Sequence, residues 1–112
     1  AWAGNTPLKR FRRDTHEGGV TDPFIVHWPK GLGDLGRGDE GGAGRTRHQY
    51  VHAIDVAPTL LDLIGIEPPS HINGIAQSPH DGVSVAATLR DPTAPDRHVT
   101  QYYEMLGSRA IY

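Results

Sequence analysis

Cysteine is absent from this 112-residue chain. Disulfides, zinc–thiolate sites and thiol nucleophiles are therefore excluded together, although no compartment is identified by that. No apolar run approaches the roughly 18–20 residues that cross a bilayer as a helix, which excludes a membrane span. A basic excess is also missing. Eleven Lys+Arg stand against 13 Asp+Glu for a formal charge of −2, which argues against a nucleic-acid or general polyanion binder. No signal peptide and no internal repeat are visible, and the chain opens on Ala1 rather than Met, so it reads as a piece of something longer. The glycines never end in Gly-Lys-Ser/Thr, so a nucleotide phosphate loop is ruled out. The four serines, Ser70, Ser78, Ser84 and Ser108, lack a nucleophile-elbow context.

What is present is loop-forming. Fourteen glycines and 9 prolines in a chain long enough for one ordinary domain predict much loop and little regular structure. Seven of those glycines fall in residues 31–44 with Asp34, Arg37, Asp39 and Glu40. Such a composition gives a mobile surface loop, with too little apolar area to offset ordering entropy. Phe24-Ile25-Val26-His27-Trp28, set between Pro23 and Pro29, reads as a short buried strand with His27 at its exit. The clearest helix follows Asp55, which is placed to cap it. Pro58 falls in its first turn, Leu60, Leu61, Leu63 and Ile64 make it apolar, and Gly65 offers a left-handed stop. So apolar a helix is expected to be buried between other elements. Residues 67–82 are turn-rich, 83–89 suit a helical turn, and 98–112 suit a hairpin around Gly107-Ser108. One strand, one helix and one hairpin do not close a domain.

Two groups of residues could carry chemistry. Lys9, Arg10, Arg12 and Arg13 place four of the 11 basic residues in five positions, just before His16-Glu17-Gly18-Gly19. Cations bind a tetrahedral oxyanion, as do backbone donors that approach closely where glycine removes bulk. If residues 9–13 form a helical turn, Lys9, Arg12 and Arg13 share one face; the alternative is a solvated basic face. His16 abuts both features and is a candidate for proton transfer or anion contact. The second group is His48, His52 and Asp55, whose spacing suits a metal only if one helix carries all three. Asp55 and Pro58 instead start the helix after the histidines, so these read as structural or exposed and no metal ligand is assigned.

Taken in order, several stretches resemble type I sulfatases, particularly bacterial arylsulfatases of the alkaline-phosphatase-like superfamily. They are Asn5-Thr6-Pro7-Leu8, Thr15-His16-Glu17-Gly18-Gly19-Val20, Phe24 to Pro29, Asp55-Val56-Ala57-Pro58-Thr59-Leu60-Leu61-Asp62-Leu63, Asn73-Gly74-Ile75, Asp81-Gly82-Val83-Ser84 and Gln101 to Tyr112. Each is weak alone; their order and spacing are specific. The resemblance implies an α/β fold, with residues 1–97 from the late part of a catalytic domain and 98–112 starting a smaller C-terminal antiparallel subdomain. It also implies hydrolysis of a small-molecule sulfate ester by a formylglycine, made from the Cys or Ser of a Cys/Ser-x-Pro-x-Arg motif, beside a calcium ion. No serine here opens that motif, so nucleophile and calcium ligands are expected in the remainder of a longer sulfatase chain, and this segment alone is expected to be inactive.

One family contact is carried by the segment: a lysine five residues before the Glu of the Glu-Gly-Gly turn, holding a sulfate oxygen. That position is Arg12 here, with Lys9 one turn away as a substitute. Arginine grips sulfate bidentately but cannot donate a proton near neutral pH, its pKa exceeding about 12. Arg12 and His16 are thus the catalytic candidates, and Lys9 and Arg12 the substrate contacts. The alternatives are a phosphodiesterase or phosphonate hydrolase on the same fold, or a non-catalytic anion-binding module. Relatives are often periplasmic or secreted.

Overall fold

The computed structural model describes residues 6–11, 13–32 and 46–112. Arg12 and most of the glycine-rich stretch, with Asp39 and Glu40, lie outside them. In chain order the elements are α1 (Glu17–Val20), α2 (Pro29–Leu32), a 3-10 turn (Ala53–Asp55), α3 (Val56–Ile64), β1 (His71–Ile72), β2 (Ile75–Ala76), α4 (Ala86–Arg90), β3 (Tyr102–Met105) and β4 (Ser108–Ile111). The chain divides into two compact units, one of Ala1–Val26 with Val99–Tyr112, the other of His27–His98.

In the first unit the C-terminal hairpin forms as its sequence suggests. Strands β3 and β4 are antiparallel, Tyr102 facing Ile111 and Met105 facing Ser108. Gln101 and Tyr112 extend the ladder by exchanging backbone hydrogen bonds of 3.1 and 2.8 Å. The two-residue turn, Leu106-Gly107, has positive φ at both positions, 51° and 86°, as a turn matched to strand twist requires. Residues 24–28, expected as a buried strand, are not one. They have no regular structure, and Ile25 is 86% exposed. A strand needs a neighbour's backbone groups. Pro23 and Pro29 remove donors at both ends, and among the described residues the only strand pairs are β1–β2 and β3–β4.

In the second unit α3 begins and ends where the sequence places it, with Gly65 left-handed at φ 71°. Its environment differs from the expectation of a buried apolar helix. Only Thr59 is buried within it, while Leu60 and Ile64 are more than half exposed. The polar side of the helix packs inward instead. Thr59 Oγ1 donates to the Asp55 carbonyl (2.6 Å) and accepts from the Val85 N–H (3.0 Å). Asp62 accepts from Ser84 Oγ. Spacing of three and four residues puts Asp55, Thr59 and Asp62 on one face, and that face meets the segment leading into α4. The small core there is Val85, Ala86 and Thr88. Arg47 binds the Thr88 carbonyl at 2.8 Å, and Gln49 binds those of Pro92 and Ala94 at 2.7 and 2.9 Å.

Candidate functional site

The basic segment and the Glu-Gly-Gly turn lie in the first unit and are held to each other by backbone. The helical turn that would put Lys9, Arg12 and Arg13 on one face is broken at its start: Arg10 takes φ 70°, left-handed. The chain curls so that the Lys9 carbonyl accepts from the Gly18 N–H at 2.9 Å and the Phe11 carbonyl from the Asp14 N–H at 2.9 Å. Arg10 and Asp14 pair at 3.6 Å across the curl. Lys9 and Arg13 are exposed.

Glu17–Val20 forms one turn of helix with His16 at its N-cap. The His16 Nδ1 accepts from the Glu17 N–H at 3.2 Å. A ring nitrogen that accepts carries no hydrogen, so in the neutral imidazole the hydrogen stands on Nε2. His16 is exposed, and its free nitrogen is thus a donor. The Glu17 carboxylate accepts from Thr21 Oγ1 at 2.5 Å, which ties it to the turn's far end rather than to chemistry.

The glycines do not serve as expected. Their amides were candidates for anion donors, but the Gly18 N–H is given to Lys9 and the Gly19 N–H to the His16 carbonyl at 2.6 Å. Their small size serves the chain itself: a Cβ on Gly18 would stand 2.3 Å from the Lys9 carbonyl oxygen, and one on Gly19 1.9 Å from that of Asp14. Of the predicted site residues, the structure brings Lys9, through its carbonyl, to the turn that His16 caps. The position of Arg12 falls outside the described residues.

Asp55 is the residue that sequence reasoning placed but misread. It makes no side-chain cap bond to α3. Fully buried, its carboxylate accepts from the His52 N–H (2.9 Å), the Val83 N–H (2.9 Å) and His98 Nε2 (2.8 Å). Burial pushes the Asp55 carboxyl up, and the His52, Val83 and His98 donors together outweigh it, leaving its pKa below the ordinary value. His98 also packs edge-on against Tyr50, ring centres 5.6 Å apart. A partner 43 residues away leaves no local signal in sequence. His52 precedes the 3-10 turn and caps it, so His48, His52 and Asp55 do not share a helix.

Calcium does not fit what is described. Among the described residues no three His, Asp or Glu side chains converge to hold a metal ion, and Asp55 commits both oxygens to protein donors. No described helix is long and apolar enough to cross a membrane.

Comparison with known proteins agrees with the pattern of these segments. The family described as Sulfatase matches residues 3–66. The chain is 29% identical to the N-acetylgalactosamine-6-sulfatase of Mus musculus over 88% of its length and 16% of that protein's. It is 35% identical to the Sus scrofa protein of the same name, over 59% of this chain and 11% of that one. An ulvan-active sulfatase of Formosa agariphila is 31% identical over 62% of this chain and 10% of its own length. The chain therefore spans about one-sixth or less of these relatives. The family match takes in more than half of the chain, including the basic segment, the Glu-Gly-Gly turn and α3, and on that ground the chain belongs to the sulfatase family.

Proposed function

We propose that the protein carrying this segment hydrolyses a small-molecule sulfate ester, and that the segment supplies the cationic grip on the sulfate together with scaffold. The observation that carries the reading is the backbone bond from the Gly18 N–H to the Lys9 carbonyl, which holds Lys9 against the turn that His16 caps, inside the family match. Lys9 and Arg12 are the substrate contacts. Their charges offset those of the sulfate oxygens, and the offset grows in value as charge develops on the departing group. Arg12 stays protonated throughout, so it orients and neutralises without moving a proton. His16, with Nδ1 engaged by Glu17, offers Nε2–H as a donor to a sulfate or leaving-group oxygen.

The nucleophile is not within these 112 residues, which hold no cysteine and no Ser-x-Pro-x-Arg. The segment alone is therefore inactive in this reading, and 98–112 begins the smaller antiparallel subdomain of an alkaline-phosphatase-like α/β fold. The names of the relatives make a 6-sulfated N-acetylgalactosamine the first natural ester to assay, beside an aryl sulfate. In the full-length protein, Arg12→Ala and Lys9→Ala should each lower kcat/KM for an aryl sulfate by about 10- to 100-fold, the value of one charge-assisted contact. Unchanged kinetics in both variants would sink the assignment.

A further inference from the structure

Nothing about sulfate chemistry calls for two glycines whose amides are already bonded to carbonyls, yet both positions are closed to any larger residue. A Cβ on Gly18 would meet the carbonyl oxygens of Lys9 at 2.3 Å and Arg10 at 2.5 Å. One on Gly19 would meet those of Asp14 at 1.9 Å and Phe11 at 2.7 Å. Real Cβ atoms do not approach oxygen so closely, and the obstacles are backbone, which cannot rotate aside as a side chain does. The backbone of Lys9, Arg10, Phe11 and Asp14 thus lies directly on the bare face of α1. The Gly18 N–H bond to the Lys9 carbonyl fastens it there, the left-handed Arg10 turns it, and the Arg10–Asp14 pair closes it.

We propose that Gly18 and Gly19 are positioning residues, which set the backbone at Lys9, Arg10, Phe11 and Asp14, and so where Lys9 stands, by admitting this contact. The proposal rests on the reading of Lys9 and Arg12 as the sulfate grip. A side chain at either glycine must push carbonyls of residues 9–14 outward by roughly an ångström, and a displacement of that size at a reacting centre costs about 100-fold in rate.

The test uses the full-length protein, an aryl sulfate as substrate and inorganic sulfate as competitive inhibitor. Gly18→Ala should lower kcat/KM by 10- to 100-fold and weaken inhibition by inorganic sulfate to a similar degree. In a Lys9→Gln background the same substitution should cost less than threefold, because the group it misplaces is gone. Equal losses in both backgrounds would overturn the proposal and leave the glycines a general folding role. If Lys9→Gln with Arg12→Gln leaves turnover unaltered, the sulfate-grip reading falls, and the positioning role with it. Should Gly18→Ala not fold, amide exchange in the unsubstituted protein decides. Saturating inorganic sulfate should slow exchange of the Gly18 amide about tenfold as the curl is pinned, whereas bound sulfate with unaltered Gly18 exchange is the contrary result.

Discussion

Asp55 shows how much one buried carboxylate can hold. Its two oxygens satisfy the His52 and Val83 amides and His98, and so join the start of α3 to the segments before α4 and after Asp96. Gly82 permits the approach, since a Cβ there would stand 2.2 Å from the Ile54 carbonyl oxygen. Asp55→Ala should cost about 3 kcal/mol in chemical denaturation of the full-length protein, because buried donors are left unpaired. The pH dependence follows from the lowered pKa. The unfolded chain, with an ordinary value near 3.9, takes up the proton first as pH falls. The Asp55 contribution is therefore complete above about pH 4 and disappears as pH drops through the folded-state value. Asp55→Asn should be less stable than the unsubstituted protein at neutral pH, the two denaturation curves converging below about pH 4. A gap that stays constant down to pH 3 would contradict that account.

At the scale of elements, turn chemistry and helix termination make the sharpest predictions. The β1–β2 turn uses Asn73-Gly74, both with positive φ, which are residues suited to that conformation. The β3–β4 turn asks the same of Leu106, whose φ is 51° and whose side chain is 74% exposed. A leucine loses there what asparagine retains, so Leu106→Asn should stabilise the hairpin by about 0.5–1 kcal/mol, read as a rise of a few degrees in Tm or as slower amide exchange in β3. Gly65 terminates α3 in the left-handed region with nothing within 4 Å of an added Cβ. Gly65→Ala should thus carry only a backbone cost, about 1 kcal/mol, and Gly65→Asn less.

For the whole molecule the decisive quantity is uncovered apolar surface. Only Val85 and Ala86 are apolar and buried among the described residues, while Val99 is 91% exposed and Ile25, Ile75 and Ile111 are each more than two-thirds exposed. A 112-residue domain ordinarily buries a larger core, and in the reading proposed above the rest of the parent protein covers these side chains. The 112 residues expressed alone should bind a hydrophobic dye and self-associate in light scattering. A monodisperse monomer with a cooperative melt would favour a self-sufficient binding module instead. Such an isolated chain should also fail to turn over an aryl sulfate with calcium added, and measurable turnover would refute the division of labour proposed above.

Local features were legible because their causes are local. Gly65 after an apolar run, Pro58 in a first turn and Gly107 between β-prone stretches act through φ, a missing N–H and strand twist, which neighbours in sequence determine. The order of segments around Glu17-Gly18-Gly19 and Asp55 to Leu63 likewise carried the family. What faces inward was not legible. Hydrophobicity pointed Leu60 and Ile64 into a core, yet both are more than half exposed, while the Asp55–Thr59–Asp62 face packs because its polar groups find partners at Val83, Ser84, Val85 and His98. The glycines at 18 and 19 told the same story at the candidate site. Sequence alone offered two small residues beside a basic run, and only the tertiary structure decided that bulk is excluded there by the chain's own carbonyls, since distance between residues nine apart is set by folding and not by spacing.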